Sequence, residues 1–303
     1  MQKERTLQFW DDYYKTHQDE QSKEWILKPS TLLLQKLAHH VPRKQNCRIL
    51  EIGCGTSSLA RDLFRYLLDT EPRAPNNSTN DQLVWQETLQ VIATDVSSTC
   101  IKKCQERDAN ISDERLRYQT LNVVETCPEL RGQFDVILDK GCLDTFLFRS
   151  RQRGGGRQPY GVLLSTVLNN LQSWLCQPSG QYLVLTPRSK LKSVRDYVGF
   201  ASVERQPLDV SRLDLGDLEG TDPQDEPSLQ PEPLFLYICK PCLEYDPSRG
   251  ESFPRDHPVP HDVDTCSVCS MSFAAYRRGE RLSGRGDAYW SRQWRGHCLH
   301  CKG

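Results

Sequence analysis

The feature that most constrains this chain is the run Cys47-Arg-Ile-Leu-Glu-Ile-Gly-Cys-Gly-Thr-Ser-Ser58, followed by apolar residues at 59, 63, 64, 67 and 68. An apolar strand that ends on two glycines and opens at once into an amphipathic helix is the start of a β–α–β unit. Glycine at that turn lets the backbone take positive φ and approach a ligand closely. The helix N-terminus beyond it presents unpaired N–H groups. The alternation continues along the chain. Strands are predicted at 89–95, 116–123, 134–138, 181–186 and 234–239, and helices after Ser97/Ser98 and over 162–174. Upstream, Ser30 is placed to cap a helix carrying Leu33, Leu34, Leu37 and Val41, which Pro42 stops. Strands alternating with helices imply an α/β fold, a parallel sheet covered on both faces. The last strand has no clear helix before it and suits an antiparallel edge. Residues 69–82, 149–159 and 214–233 read as loops from their Pro, Gly and polar content.

Asp95 ends the second predicted strand. An acid there accepts hydrogen bonds from a ribose diol in dinucleotide folds. It stands further downstream of the glycines than the usual ~20 residues, and the 69–82 loop absorbs the difference. Ser58 occupies the place of the third glycine of a pyrophosphate loop, which argues against a nicotinamide dinucleotide. Glu51-Ile-Gly-Cys-Gly-Thr-Ser-Ser58 instead resembles the cofactor loop of the seven-strand S-adenosylmethionine (SAM) methyltransferases. Asp139-Lys-Gly-Cys-Leu-Asp144 resembles a signature of the eukaryotic methyltransferase-like protein lysine methyltransferases that act on elongation factor 1A and citrate synthase. Phe9-Trp-Asp-Asp-Tyr-Tyr14, with Glu24-Trp25 after it, is similar to that family's N-terminal motif, with Tyr13 where the family has Arg. The resemblance covers about residues 7–240.

It implies a doubly wound, mostly parallel seven-strand sheet and a SAM cofactor. Glu51, Gly53 and Gly55 would line the methionine end, Asp95 would hold the ribose, and Asn122 would face the adenine amino group. Trp10 and Tyr14 would close over the cofactor, and Asp139 would lie at the mouth beside the methyl group. The implied organisation is a lid segment at 1–28, a methyltransferase domain at 29–242 and a C-terminal module at 243–303. The implied partner is a protein with a target lysine. Amine methylation needs an in-line nucleophile at about 3–3.5 Å. A carboxylate beside a lysine raises its pKa, so Asp139 suits a positioner better than a base. Trp10, Tyr14 and Trp25 either pack the lid or hold a methylammonium by cation–π contact. Asp144 either caps a helix or touches substrate.

Cysteine usage sets the tail apart. Of 13 cysteines, Cys266/Cys269 and Cys298/Cys301 form two Cys-x-x-Cys knuckles near the C-terminus. Two knuckles make a four-thiolate structural zinc site, with His297 or His300 as an alternative fourth ligand. Cys239 and Cys242 end the last predicted strand and do not read as a ligand set, because Cys239 belongs to a strand whose alternate residues face the core. Cys54 and Cys142 read as small buried residues. Between the knuckles, arginines alternate with Tyr276, Tyr289, Trp290 and Trp294, a mixture that suits either RNA or a protein face. The alternatives to a lysine methyltransferase are therefore an RNA methyltransferase and a non-catalytic adaptor. Charge is nearly balanced, at 39 basic and 40 acidic residues, which excludes a general polyanion binder. No apolar run reaches the ~20 residues a membrane span needs. The N-terminal stretch has no secretory h-region. Together these predict a reducing compartment, cytoplasm or nucleus.

Overall fold

Apolar strands buried on both faces dominate the centre of the molecule. The computed structural model describes residues 2–17, 24–69, 85–149, 160–195, 197, 199–209 and 234–242. The predicted zinc ligands Cys266, Cys269, Cys298 and Cys301, and residues 150–159 of the loop predicted at 149–159, lie outside these residues. Helix α1 (Gln2–Thr16) and α2 (Thr31–Ala38) precede β1 (Arg48–Ile52) and α3 (Leu59–Asp69). Then come β2 (Gln90–Asp95), α4 (Ser98–Arg107), β3 (Leu116–Thr120), β4 (Val136–Lys140) and α5 (Cys142–Arg149). The order closes with α6 (Tyr160–Trp174), β5 (Gln181–Thr186), α7 (Lys192–Arg195), β6 (Phe200–Leu208) and β7 (Leu234–Pro241).

The seven strands form one sheet in the order β3-β2-β1-β4-β5-β7-β6. β1 pairs in parallel with both β2 and β4, and β7 runs antiparallel to β5 and β6. One face of the sheet, with Ile49, Val91 and Leu138, packs on α2 and α3. The other face, with Leu50, Ile137 and Tyr182, packs on α6. In α3 the buried residues Leu59, Leu63, Phe64 and Leu67 follow the 3.6-residue period, so its apolar stripe meets the sheet. No helix among the described residues is long and apolar enough to cross a membrane.

Two sequence expectations change. The last predicted strand is antiparallel, but it is not the edge. Its sequence Leu-Phe-Leu-Tyr-Ile-Cys is buried along both faces, which suits an interior strand. The edge is β6, a strand that the sequence pattern does not predict. Its Ser202, Glu204, Arg205 and Pro207 leave most of it exposed or half-buried, and charge and proline are the features of an edge. The N-terminal segment, expected to be a lid and given no element in the sequence, opens with the helix Gln2–Thr16. Phe9, Trp10, Tyr13 and Tyr14 recur at i, i+1, i+4 and i+5, which puts the rings along one side.

Candidate active site

The strand order reverses on either side of β1, and ligands in open α/β sheets bind at such a switch point, outside the carboxyl ends of the strands. Here a cavity of about 640 Å³ opens beyond β1, β2 and β4. Its floor is the β1–α3 turn. Gly53 and Gly55 have φ of 57° and 54°, a conformation that side chains disfavour. A Cβ on Gly53 would lie 2.6 Å from the Cys142 side chain, and one on Gly55 2.9 Å from the Tyr14 hydroxyl. The turn is braced from β2. The Gly55 N–H donates to Asp95 Oδ2 at 3.0 Å, the Ser97 N–H to Asp95 Oδ1 at 2.9 Å, and the Cys54 N–H to the Thr94 carbonyl at 2.8 Å. Burial pushes the Asp95 carboxyl up to about 6, against those two N–H bonds. Asp95 lines the cavity and keeps acceptor capacity on both oxygens.

Leu121, Asn122, Val123 and Val124 form a second wall. The Asn122 amide donates to Glu125 Oε1 at 2.9 Å and accepts the Val124 N–H at 3.2 Å. The third wall is the cover. Trp10, Tyr14 and Trp25 line it, with Trp10 and Trp25 edge to face at 6.1 Å. Phe9 and Trp25 are 51% and 43% exposed, so the rim is aromatic and open to solvent.

The structure brings Trp10, Tyr14, Gly53, Gly55, Asp95 and Asn122 together on one cavity. Two sequence-predicted residues lie elsewhere. Glu51 sits behind the floor at 1% exposure, and neither oxygen has a hydrogen-bond partner of ordinary geometry. Burial pushes its carboxyl up to about 8, against the pull of Lys140. Asp139 is not at the mouth. Cys142 N–H at 2.8 Å, Leu143 N–H at 3.0 Å and the Tyr182 hydroxyl at 2.7 Å all donate to it. It is thus the anchor of the first turn of α5, 1% exposed, because the strand ends there and the helix's first N–H groups need an acceptor. Asp144, one turn on, is the acid of that motif on the cavity wall. It pairs with Arg188 across the mouth.

Lys140, Asp11 and Glu24 carry no role legible in the sequence. Lys140 lies inside the quoted Asp-Lys-Gly motif, yet its partner Glu24 is 116 residues away, so no local signal exposes the pair. Cys142 lines the cavity rather than being wholly buried. Cys54 and Cys239 are buried, as expected, and Cys242 is buried as well. Among the described residues no group of three His, Cys, Asp or Glu side chains is arranged to hold a metal.

No protein-family model matches the chain. It is 27% identical over 199 residues to EEF1A lysine methyltransferase 4 of Mus musculus, covering 64% of this chain and 65% of that protein. The Bos taurus counterpart is 26% identical over 208 residues. The two chains of this pair are thus matched over 65% of the relative's length. The chain has the class I methyltransferase fold. A polyketide synthase of Penicillium shearii is 32% identical over 128 residues, 39% of this chain and 5% of the synthase. Among solved structures, the citrinin polyketide synthase CMeT domain superposes with a TM-score of 0.41 at 17% identity, over 68% of this chain and 50% of that one. A Haemonchus contortus phosphoethanolamine N-methyltransferase superposes at 0.40 and 16% identity, over 60% and 40%.

Proposed function

We propose that this chain is a SAM-dependent methyltransferase that methylates a lysine side chain of a protein. The observation that carries the cofactor is the floor: two positive-φ glycines that admit no side chain, held by an anchored carboxylate at the rim of a cavity. The residues present fit SAM. Asp95 keeps acceptors for a diol, and residues 121–124 offer backbone and amide groups to a base. SAM supplies a methyl group on a sulfonium whose departure needs no acid. Asp95 and the glycine turn hold and orient that cofactor, and the aromatic cover excludes water. Similarity to EEF1A lysine methyltransferase 4 supports an amine acceptor on a protein.

Asp139 acts in this reading by positioning α5, which carries Cys142 and Asp144 to the cavity wall. Asp144 is the carboxylate placed to orient an incoming ammonium. The lid at 1–28, the domain at 29–242 and the zinc module at 243–303 remain our proposed organisation, with Cys266, Cys269, Cys298 and Cys301 as zinc ligands. Calorimetry with SAM tests the cofactor. Tritiated SAM with cell lysate, counted after protease or after ribonuclease, tests the acceptor, and purified EEF1A is the first defined substrate to try. Protease-sensitive label supports the reading. Ribonuclease-sensitive label would favour RNA, and binding without any transfer would favour an adaptor.

A further inference from the structure

Beyond β5 the chain crosses back over the sheet. Residues 187–195 include four basic residues and no acid before Asp196. Leu191 and Val194 are buried in the core that holds Phe235 and Tyr237. They fix the crossover and leave Lys190 and Arg195 exposed. Arg205 joins them from the edge strand β6. Its Nη1 donates to the Ser189 carbonyl at 2.6 Å, and its guanidinium lies 5.2 Å from the centre of the Phe235 ring. Stacking of this kind fixes an arginine while leaving other donors available. The Tyr237 hydroxyl donates to the Arg188 carbonyl at 3.0 Å. Burial raises its pKa, against the pull of Arg205 and Arg195, so both guanidiniums stand near that hydroxyl. Arg188 itself lines the cavity and pairs with Asp144. A bank of cations therefore runs from the mouth of the cavity onto β6. The acid of β6, Glu204, points to the opposite face. It accepts from Gln206 Nε2 at 2.9 Å and acts on His40, beyond α2. Lys190 and Arg205 make no ion pair among the described residues. The cover on the other side of the mouth has a different character. There α1 is tied to α4 through Asp11 and Ser97, and it presents Asp12 and Phe9 to solvent.

We propose that this bank binds an acidic segment of the protein substrate, next to the lysine that enters the cavity. The inference deepens the lysine methyltransferase reading and rests on it. The order of charge at the mouth favours a peptide. A lysine directed at Asp144 and a carboxylate directed at Lys190 and Arg205 each meet the opposite sign. A nucleic acid carries a phosphate at every nucleotide and would bring negative charge to Asp144 and Asp12 as well. Single exposed ion pairs contribute little, and salt screens them. Recognition therefore needs the cations together, and together they also steer a charged partner toward the mouth.

The test measures binding rather than turnover, by fluorescence anisotropy on the full chain with and without saturating S-adenosylhomocysteine. The probe is a labelled peptide with one central lysine between runs of glutamate, compared with the same peptide carrying glutamine. The glutamate peptide is expected to bind at least about fivefold tighter in low salt, with the advantage shrinking as salt rises past about 150 mM. Lys190→Glu with Arg205→Glu should abolish that preference and leave S-adenosylhomocysteine affinity unchanged, since neither residue lines the cavity. Lys102→Glu with Arg117→Glu changes the net charge equally, on α4 and β3 at the far side of the sheet, and should keep the preference. Equal binding of the two peptides, a preference that survives the first pair of substitutions, or one lost equally with the second pair overturns the proposal. So does tighter binding of a single-stranded RNA of the same length that depends on Lys190 and Arg205. Where the first double variant does not fold, Lys190→Gln with Arg205→Gln replaces it, with the same loss expected and a retained preference overturning the proposal. A chain that binds the glutamate peptide through this bank but binds no S-adenosylhomocysteine supports the bank and fails the SAM reading, which tells the two failures apart.

Discussion

The floor and the cover of the cavity are built on opposite principles. The floor is backbone: positive φ at Gly53 and Gly55, with Asp95 anchored by two N–H groups from nearby turns. The cover is held by side chains that reach across the sequence. Asp11 accepts from the Ser97 hydroxyl at 2.7 Å and the Thr99 N–H at 3.3 Å, at the start of α4. Glu24 does the same at the start of α3. Each attachment places a carboxylate at a helix N-terminus, where unpaired N–H groups and the dipole favour it. The Ser97 and Lys15 contacts hold the Asp11 carboxyl well below the usual range. A backbone floor tolerates almost no substitution. A cover pinned at a few charged points is more open to adjustment.

The sharpest way to break that contrast is at Gly53. Gly53→Arg should lower SAM affinity by more than about 100-fold, since it combines a disfavoured φ with a clash on Cys142. Unchanged affinity by calorimetry would take the turn out of the site. Asp139→Ala removes the acceptor for three buried donors, and should cost about 3 kcal/mol in thermal or denaturant unfolding. Because α5 then loses its first turn, SAM affinity and turnover should fall together. A fall in turnover alone would return Asp139 to the mouth.

Asp95→Ala should weaken SAM binding by about 1.5–3 kcal/mol, the scale of a hydrogen bond to a charged group. With the Asp95 carboxyl at about 6, the wild-type affinity should drop as pH falls from 7 to 5. Protonation removes acceptor capacity there, and affinity should recover above pH 7. A flat profile in titrations across that range would argue against a ribose contact. On the cover, Asp11→Ala should cost about 1 kcal/mol of stability through loss of its bonds to the Ser97 hydroxyl and Thr99 N–H at the start of α4, read by urea unfolding, with a change of only a few-fold in SAM affinity. A loss as deep as that of Gly53→Arg would show that the cover is as unforgiving as the floor. The smallest expected effect on the cavity is from the tail. Changing both Cys298 and Cys301 to Ser should remove about one zinc per chain by elemental analysis, because four thiolates make a closed structural site, and should leave SAM binding unchanged.

The strand–glycine–helix run, the acid closing β2 and the Asp-Lys-Gly motif were legible because each is a local arrangement: strand period, turn residues and cap lie within a dozen positions of one another. Ser30 and Ser97 cap α2 and α4 as the sequence predicts, accepting the Leu33 and Cys100 N–H groups. The resemblance carried the seven-strand sheet for the same reason, through motifs at strand ends. What the sequence did not disclose depends on partners brought together only by packing. The edge position of β6 appears only when β7 is seen between it and β5. Asp139 and Asp144 are alike on the page; which one the first turn of α5 consumes, and which faces the cavity, is decided by how β4 passes into that helix. Lys140 meets Glu24 only because β4 and the chain just before α2 converge on the N-terminus of α3. The sequence by itself determined the residues that bend and line the floor, since backbone conformation follows from local chemistry. The tertiary structure alone decided which charges meet, because a buried ion pair depends on where the chain returns.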